Sequence, residues 1–172
     1  MAKLIKNRDI VEDTWKVLIL AANDTPETVK LPVGPLIVPL PVWQARKTEL
    51  IRREWEHGDA LGVWLTTEES PAELIADFDD LAVIAVQFPK FADGRGYSTA
   101  TLLRTRYGYT GELRAIGDVG RDQLHYLSRV GFNAFAANEP ELAVAGLDDF
   151  SESYQTAANQ PLPLFRRSAL TA

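Results

Sequence analysis

Between Phe88 and Ser98 the chain reads Phe-Pro-Lys-Phe-Ala-Asp-Gly-Arg-Gly-Tyr-Ser, a stretch that places Lys90, Asp93, Arg95 and Ser98 beside the start of a predicted helix. Backbone N–H groups at a helix start, its dipole and a guanidinium flanked by two glycines suit a small oxyanion such as a phosphate, sulfate or sulfite group. The same residues also have a purely local explanation. The glycines make the turn, Ser98 caps the helix and Arg95 pairs with Asp93. The spacing is neither that of a Walker loop nor that of a dinucleotide fingerprint.

A second loop, Gly117-Asp118-Val119-Gly120-Arg121-Asp122-Gln123, is similar in kind. Asp118 is suited to an N-cap, with Arg121 and Asp122 in the first helical turn. If the strands before these loops are neighbours, Asp93, Arg95, Asp118, Arg121 and Asn138 from a third loop converge on one rim. Lys90, Arg95, Ser98 and Arg121 would then hold an anion, with Asp93 or Asp118 as acid or base. Capping alone also accounts for Asp118 and Asn138. Arg114 lies in the middle of a predicted strand, so its charge needs a carboxylate, which Glu112 or Asp93 could supply. His57 and His125 are the only histidines, and no His/Asp/Glu spacing suggests a metal site. His57 sits at a helix C-terminus, and His125 falls mid-helix. No Gly-X-Ser-X-Gly elbow supports hydrolase chemistry.

The elements that position these residues follow from periodicity. Lys3 to Lys6 and Ile10 to Ile19 read as strands around the turn set Asn7-Arg8-Asp9. Residues 23–41 carry five of the ten prolines, which forbids a helix but allows a short edge strand at Leu36 to Val38. A helix from Val42 to Gly58 presents Trp43, Leu50, Ile51 and Trp55 at helical spacing. From there the order is strand, turn, helix, glycine. Strands are expected at Gly62 to Leu65, Leu81 to Phe88, Glu112 to Ile116 and Asn133 to Ala137. Ser70-Pro71-Ala72-Glu73 opens a helix that buries Leu74, Ile75 and Phe78. Further helices are expected from about Ser98 to Tyr107, from about Val119 to Val130, and from the cap at Asn138-Glu139-Pro140-Glu141 towards Phe150. The uninterrupted apolar run from Leu81 to Phe88 fits a parallel strand covered on both faces.

Four such units make an α/β protein, either a half-(β/α)8 barrel or an open doubly wound sheet, preceded by an N-terminal hairpin. One domain is expected over 1–172. Residues 1–41 form the hairpin and connector, 42–150 the βα units, and 151–172 a tail that wraps over the domain or a partner. A half-barrel leaves two sheet edges, so either a homodimer or edge covering by the hairpin is expected.

Composition narrows the function classes. The chain has 172 residues, no cysteine and a formal charge of −6. Disulfides, Cys-ligated zinc, cysteine-held iron–sulfur clusters and cysteine nucleophiles are all excluded. Net negative charge argues against non-specific nucleic-acid binding. Apolar runs are far shorter than the roughly 20 residues of a membrane span, and no signal peptide is evident, so a cytoplasmic protein is expected. The tryptophans Trp15, Trp43, Trp55 and Trp64 are scattered and are expected mostly in the core.

The run from Phe88 to Ser98, with Leu103-Arg104, Gly111-Glu112-Leu113-Arg114-Ala115-Ile116-Gly117-Asp118-Val119, Asp122-Gln123 and Gly131-Phe132, resembles a bacterial family of unknown function. Members of that family are labelled as probable oxidoreductases of sulfite reduction. The resemblance implies a place in sulfate assimilation beside the siroheme sulfite reductase haemoprotein, as partner or as enzyme. It leaves the cofactor unknown, because an oxidoreductase needs a redox centre and the chain offers no cysteine, dinucleotide loop or evident haem ligation. A flavin held through its phosphate by the Arg95 loop would supply one. Two other readings stand beside it: an enzyme acting on a small anionic sulfur or phosphate compound at the strand ends, and a non-catalytic subunit that docks through its proline-rich segment and tail.

Overall fold

The computed structural model describes residues 2–90, 92–150 and 153–167. Phe91 and the first two tail residues, Ser151 and Glu152, lie outside them. Eight strands form one sheet: β1 (Lys3–Lys6), β2 (Asp9–Glu12), β3 (Lys16–Val17), β4 (Leu36–Pro39), β5 (Leu61–Leu65), β6 (Val83–Phe88), β7 (Glu112–Gly117) and β8 (Ala134–Phe135). Their order is β2-β1-β8-β7-β6-β5-β4-β3. From β4 to β8 each strand lies parallel to the one before it, in chain order. A doubly wound sheet would reverse its order at a switch point. Here each unit adds beside the last, and the sheet curls into an open half-barrel.

Strand alternation divides the side chains between two faces. Leu61, Val63, Leu65, Ile84, Val86, Phe88, Leu113 and Phe135 join the main core with Trp43, Leu50, Leu103, Leu124 and Leu127 from the helices. Ile37, Val83, Ala85 and Ile116 form a smaller cluster on the other face, covered by Trp15 and Trp64. The helices are α1 (Leu40–His57), α2 (Arg95–Thr101), α3 (Leu124–Val130), α4 (Pro140–Ala143) and α5 (Leu164–Arg167), with a 3-10 helix over Pro71–Asp80. A π-helical turn over Leu102–Arg106 continues α2. Trp43 donates its indole N–H to Asp77 at 2.6 Å, tying α1 to the 3-10 helix.

Several local expectations are corrected. The second predicted strand breaks at Asp13–Trp15 into β2 and β3, which lie on opposite edges of the sheet. β4 is a buried interior strand rather than an edge, because β3 covers it. The segment after Ser70 is 3-10, and its Glu73 side chain accepts from Gln44 instead of folding back as a capping box. Ile75 is exposed there, since three-residue turns rotate it off the face that α-helical spacing would bury. Trp55 is 91% exposed, on the outer side of α1. The antiparallel hairpin β1–β2 covers β8, as one of the two edge expectations requires. The tail packs on α3, where the carbonyl of Arg129 accepts from the Ala158 N–H at 3.0 Å.

Candidate functional site

The loops following β5, β6, β7 and β8 lie at one end of the sheet, because these strands are adjacent and parallel. Gly117 makes the join after β7 possible. Its φ of +95° is left-handed, and a Cβ there would fall on the Phe88 carbonyl oxygen. The next residue, Asp118, donates its backbone N–H to that same oxygen at 2.8 Å. The β6 and β7 loops are thereby stitched together.

Within this rim Asp93 and Arg95 close on each other. Asp93 accepts from Arg95 Nε at 3.0 Å, from Nη2 at 2.7 Å and from the Arg95 backbone N–H at 3.2 Å. Thr67, after β5, donates to its second oxygen at 3.0 Å. The guanidinium beside it holds the Asp93 carboxyl well below the usual carboxylate range, with the backbone and Thr67 bonds assisting. Arg95 also faces Glu68 at 3.4 Å and is raised in turn, first by Asp93 and then by Glu68. One cation between two carboxylates leaves this cluster with net negative charge, which opposes anion capture at Arg95.

The side chains of the remaining rim candidates do not join this cluster in the contacts seen among the described residues. Lys90 is exposed, and its carbonyl accepts from the Asp93 N–H at 3.0 Å. Ser98 is exposed inside α2 and is not its cap; the N-cap is Gly94, with Asp93 supplying the acceptor for the Arg95 N–H. Asp118 precedes the helical cap, which is Gly120. Arg121 turns away to Asp149 at 2.6 Å. Gln123 is buried and accepts from the Gly120 N–H at 2.9 Å. Asn138 is exposed, and the cap of α4 is Glu139 rather than Asn138. Asp122 is exposed in the 3-10 turn Arg121–Gln123 before α3, facing a groove.

Arg114 has the partner expected of it and another that local sequence could not name. Its side chain is 1% exposed, with Glu112 at 2.7 Å and Asp13 at 3.0 Å. The guanidinium lies 5.9 Å from the Trp15 ring centroid, and Lys6 pairs with Glu112 at 2.7 Å. Asp93 takes no part. Buried charges demand such partners, and here they pin the segment between β2 and β3 across the inner face of the sheet. Residue spacing gives no sign of Asp13, because it lies 101 residues from Arg114. Among the described residues no group of three or more His, Asp or Glu side chains could hold a metal ion, and no helix is long and apolar enough to cross a membrane.

These features define a half-barrel α/β domain with an internal ion-pair cluster at its strand-end rim. The chain belongs to the family described as "Bacterial protein of unknown function (DUF934)", which matches residues 62–165. The match covers the four βα units and most of the tail. No curated protein and no solved structure matches the chain.

Proposed function

We propose that this protein serves assimilatory sulfite reduction as an accessory of the siroheme sulfite reductase rather than by turning over a substrate of its own. The observation behind the accessory role is the state of Asp93. Clamped by Arg95 and Thr67, it stays ionised far below neutral pH and is unsuited to general acid–base work. The connection to sulfite reduction is supported by the resemblance carried by the Phe88–Ser98 and Gly111–Val119 blocks. The oxidoreductase label is the finer form of this reading, and it requires a redox group from outside the chain. The protein acts in the cytoplasm, where sulfate is assimilated. It does so as a homodimer, a state favoured by the exposed apolar side chains of Ile10 and Val11.

A strain lacking the protein tests the reading. Growth on sulfate or sulfite is expected to slow while growth on cysteine is unchanged, and tagged protein from the same host is expected to retain sulfite reductase. Equal growth on all sulfur sources, with no retained reductase, refutes it. Light scattering on the purified protein reads the dimer directly.

A further inference from the structure

The outer face of α3 carries a groove of about 680 Å³. One wall is α3, with Tyr126 and Arg129, and the turn before it, with Asp122; the other holds Phe150 and Tyr154. Three of these are aromatic rings left open to solvent, with Tyr126 54%, Phe150 64% and Tyr154 71% exposed. Exposed aromatic area concentrated in one concavity marks a binding site far more often than scattered single residues do. Two of the three rings are also held in place from behind. Tyr126 rests on Tyr97, their centroids 5.2 Å apart, and Phe150 rests on His125 at 4.8 Å.

The polar groups of the groove are complementary to a particular ligand chemistry. Arg129 donates one Nη2 N–H to the Gln155 carbonyl at 3.0 Å. Among the described residues it forms no ion pair, unlike Arg95, Arg114 and Arg121, whose charges are met by carboxylates. Asp122 likewise forms no ion pair among the described residues, although it stands at the edge of an aromatic site. A guanidinium offers a fork of donors to phosphate, and a carboxylate accepts from a ring N–H or exocyclic amine. Aromatic faces stack on heteroaromatic rings whatever their identity.

We infer that this groove binds a mononucleotide, its planar heteroaromatic ring against Tyr126 and Tyr154 and its phosphate at Arg129. The size fits, since pockets for ligands of this class run from roughly 300 to 1,000 Å³. The overall charge of −6 disfavours a polyanionic nucleic acid, while a single phosphate needs only the one local cation. The inference stands independently of the sulfite-reduction reading.

Titration of the full-length protein with adenosine monophosphate by calorimetry, and with flavin mononucleotide by fluorescence quenching, tests it. Saturable one-to-one binding of either is expected, and the two probes distinguish a purine from a flavin ring. Tyr154→Ala removes an exposed side chain and is expected to weaken binding at least about tenfold. Arg129→Gln is expected to lower the affinity to that of the phosphate-free nucleoside or riboflavin, which the variant leaves unchanged. Lack of saturable binding by both probes overturns the inference, as does undiminished binding to Tyr154→Ala. A Tyr154→Ala variant that loses only self-association, in a protein that binds neither probe, also overturns it by making the groove a contact between copies.

Discussion

Arg114→Met tests the buried network on the inner face most directly. Methionine keeps much of the arginine's apolar bulk but removes the charge, leaving Glu112 and Asp13 to find other partners. Losing one partner of a buried pair costs about 3–5 kcal/mol, because the remaining charge is stranded. Two features push the value towards the lower bound: Glu112 keeps Lys6 at 2.7 Å, and Asp13 is sufficiently exposed to turn towards water. We expect about 3 kcal/mol, which for a chain of this size lowers Tm by about 6–12 °C. Urea unfolding followed by tryptophan fluorescence is a suitable assay, since Trp15 lies beside the guanidinium. Adding Glu112→Gln to Arg114→Met is expected to recover part of the loss, because the double variant leaves one carboxylate without Arg114 instead of two. A single variant within about 1 kcal/mol of the parent, or a double variant no better than the single, refutes the claim that this network anchors the N-terminal segment.

Four further perturbations follow from particular geometries. Gly117→Ala combines a left-handed φ with a methyl group aimed at the Phe88 carbonyl and is expected to cost about 3 kcal/mol by urea unfolding. Gly58→Ala, with φ +71° but open space around its Cβ, is expected to cost only about 1 kcal/mol in the same assay. Arg95→Gln removes the main cause of the lowered Asp93 pKa, so NMR titration is expected to show that carboxyl moving back up towards the usual range near about 4. A lowered folded-state pKa stabilises above the unfolded value and loses that stabilisation as pH falls. The Tm gap between parent and Arg95→Gln is therefore expected to shrink from about pH 6 to pH 3, and a constant gap contradicts the pairing. Arg8 adopts φ 77° in the two-residue turn between β1 and β2, where Asn-Gly is the favoured pair. In an Asp148→Asn background that removes its exposed ion pair, Arg8→Gly is expected to gain about 1 kcal/mol by urea unfolding.

The βα units were legible because their signals are local. The apolar run ending at Phe88, the glycines closing helices at Gly108 and Gly131, and the prolines before α1 each act within a few residues. The direction of Arg95 was legible too, as the local alternative to an anion site: Asp93 sits two residues away, within reach of its own loop. What periodicity could not supply was anything set by distant pairing. It places Leu36 to Val38 in a strand but cannot tell that β3 lies outside it, which makes β4 interior. Arg114 announces a need for a carboxylate without naming Asp13. Trp55 satisfies helical spacing and still faces solvent, because among the described residues no element packs over that stripe of α1. The aromatic groove escaped for a related reason: Tyr126 and Tyr154 come to line one groove only after the tail folds back over α3.

The pairing of β1 with β8 has a consequence for biosynthesis. Ile5 lies opposite Phe135 in the finished sheet, so one of the first segments to leave the ribosome must wait for a partner translated about 130 residues later. At about 5–20 residues per second the wait is roughly 6–25 s. During that interval Ile5, fully buried in the folded protein, has no strand on its β8 side. Its hairpin partner β2 is a four-residue strand bounded by Asp9 and Glu12, with Lys3 and Lys6 opposite them. Charges at both ends of so short a ribbon discourage pairing with other nascent chains. The same lysines that later reach Glu141 and Glu112 in the folded domain therefore guard the hairpin while it is alone.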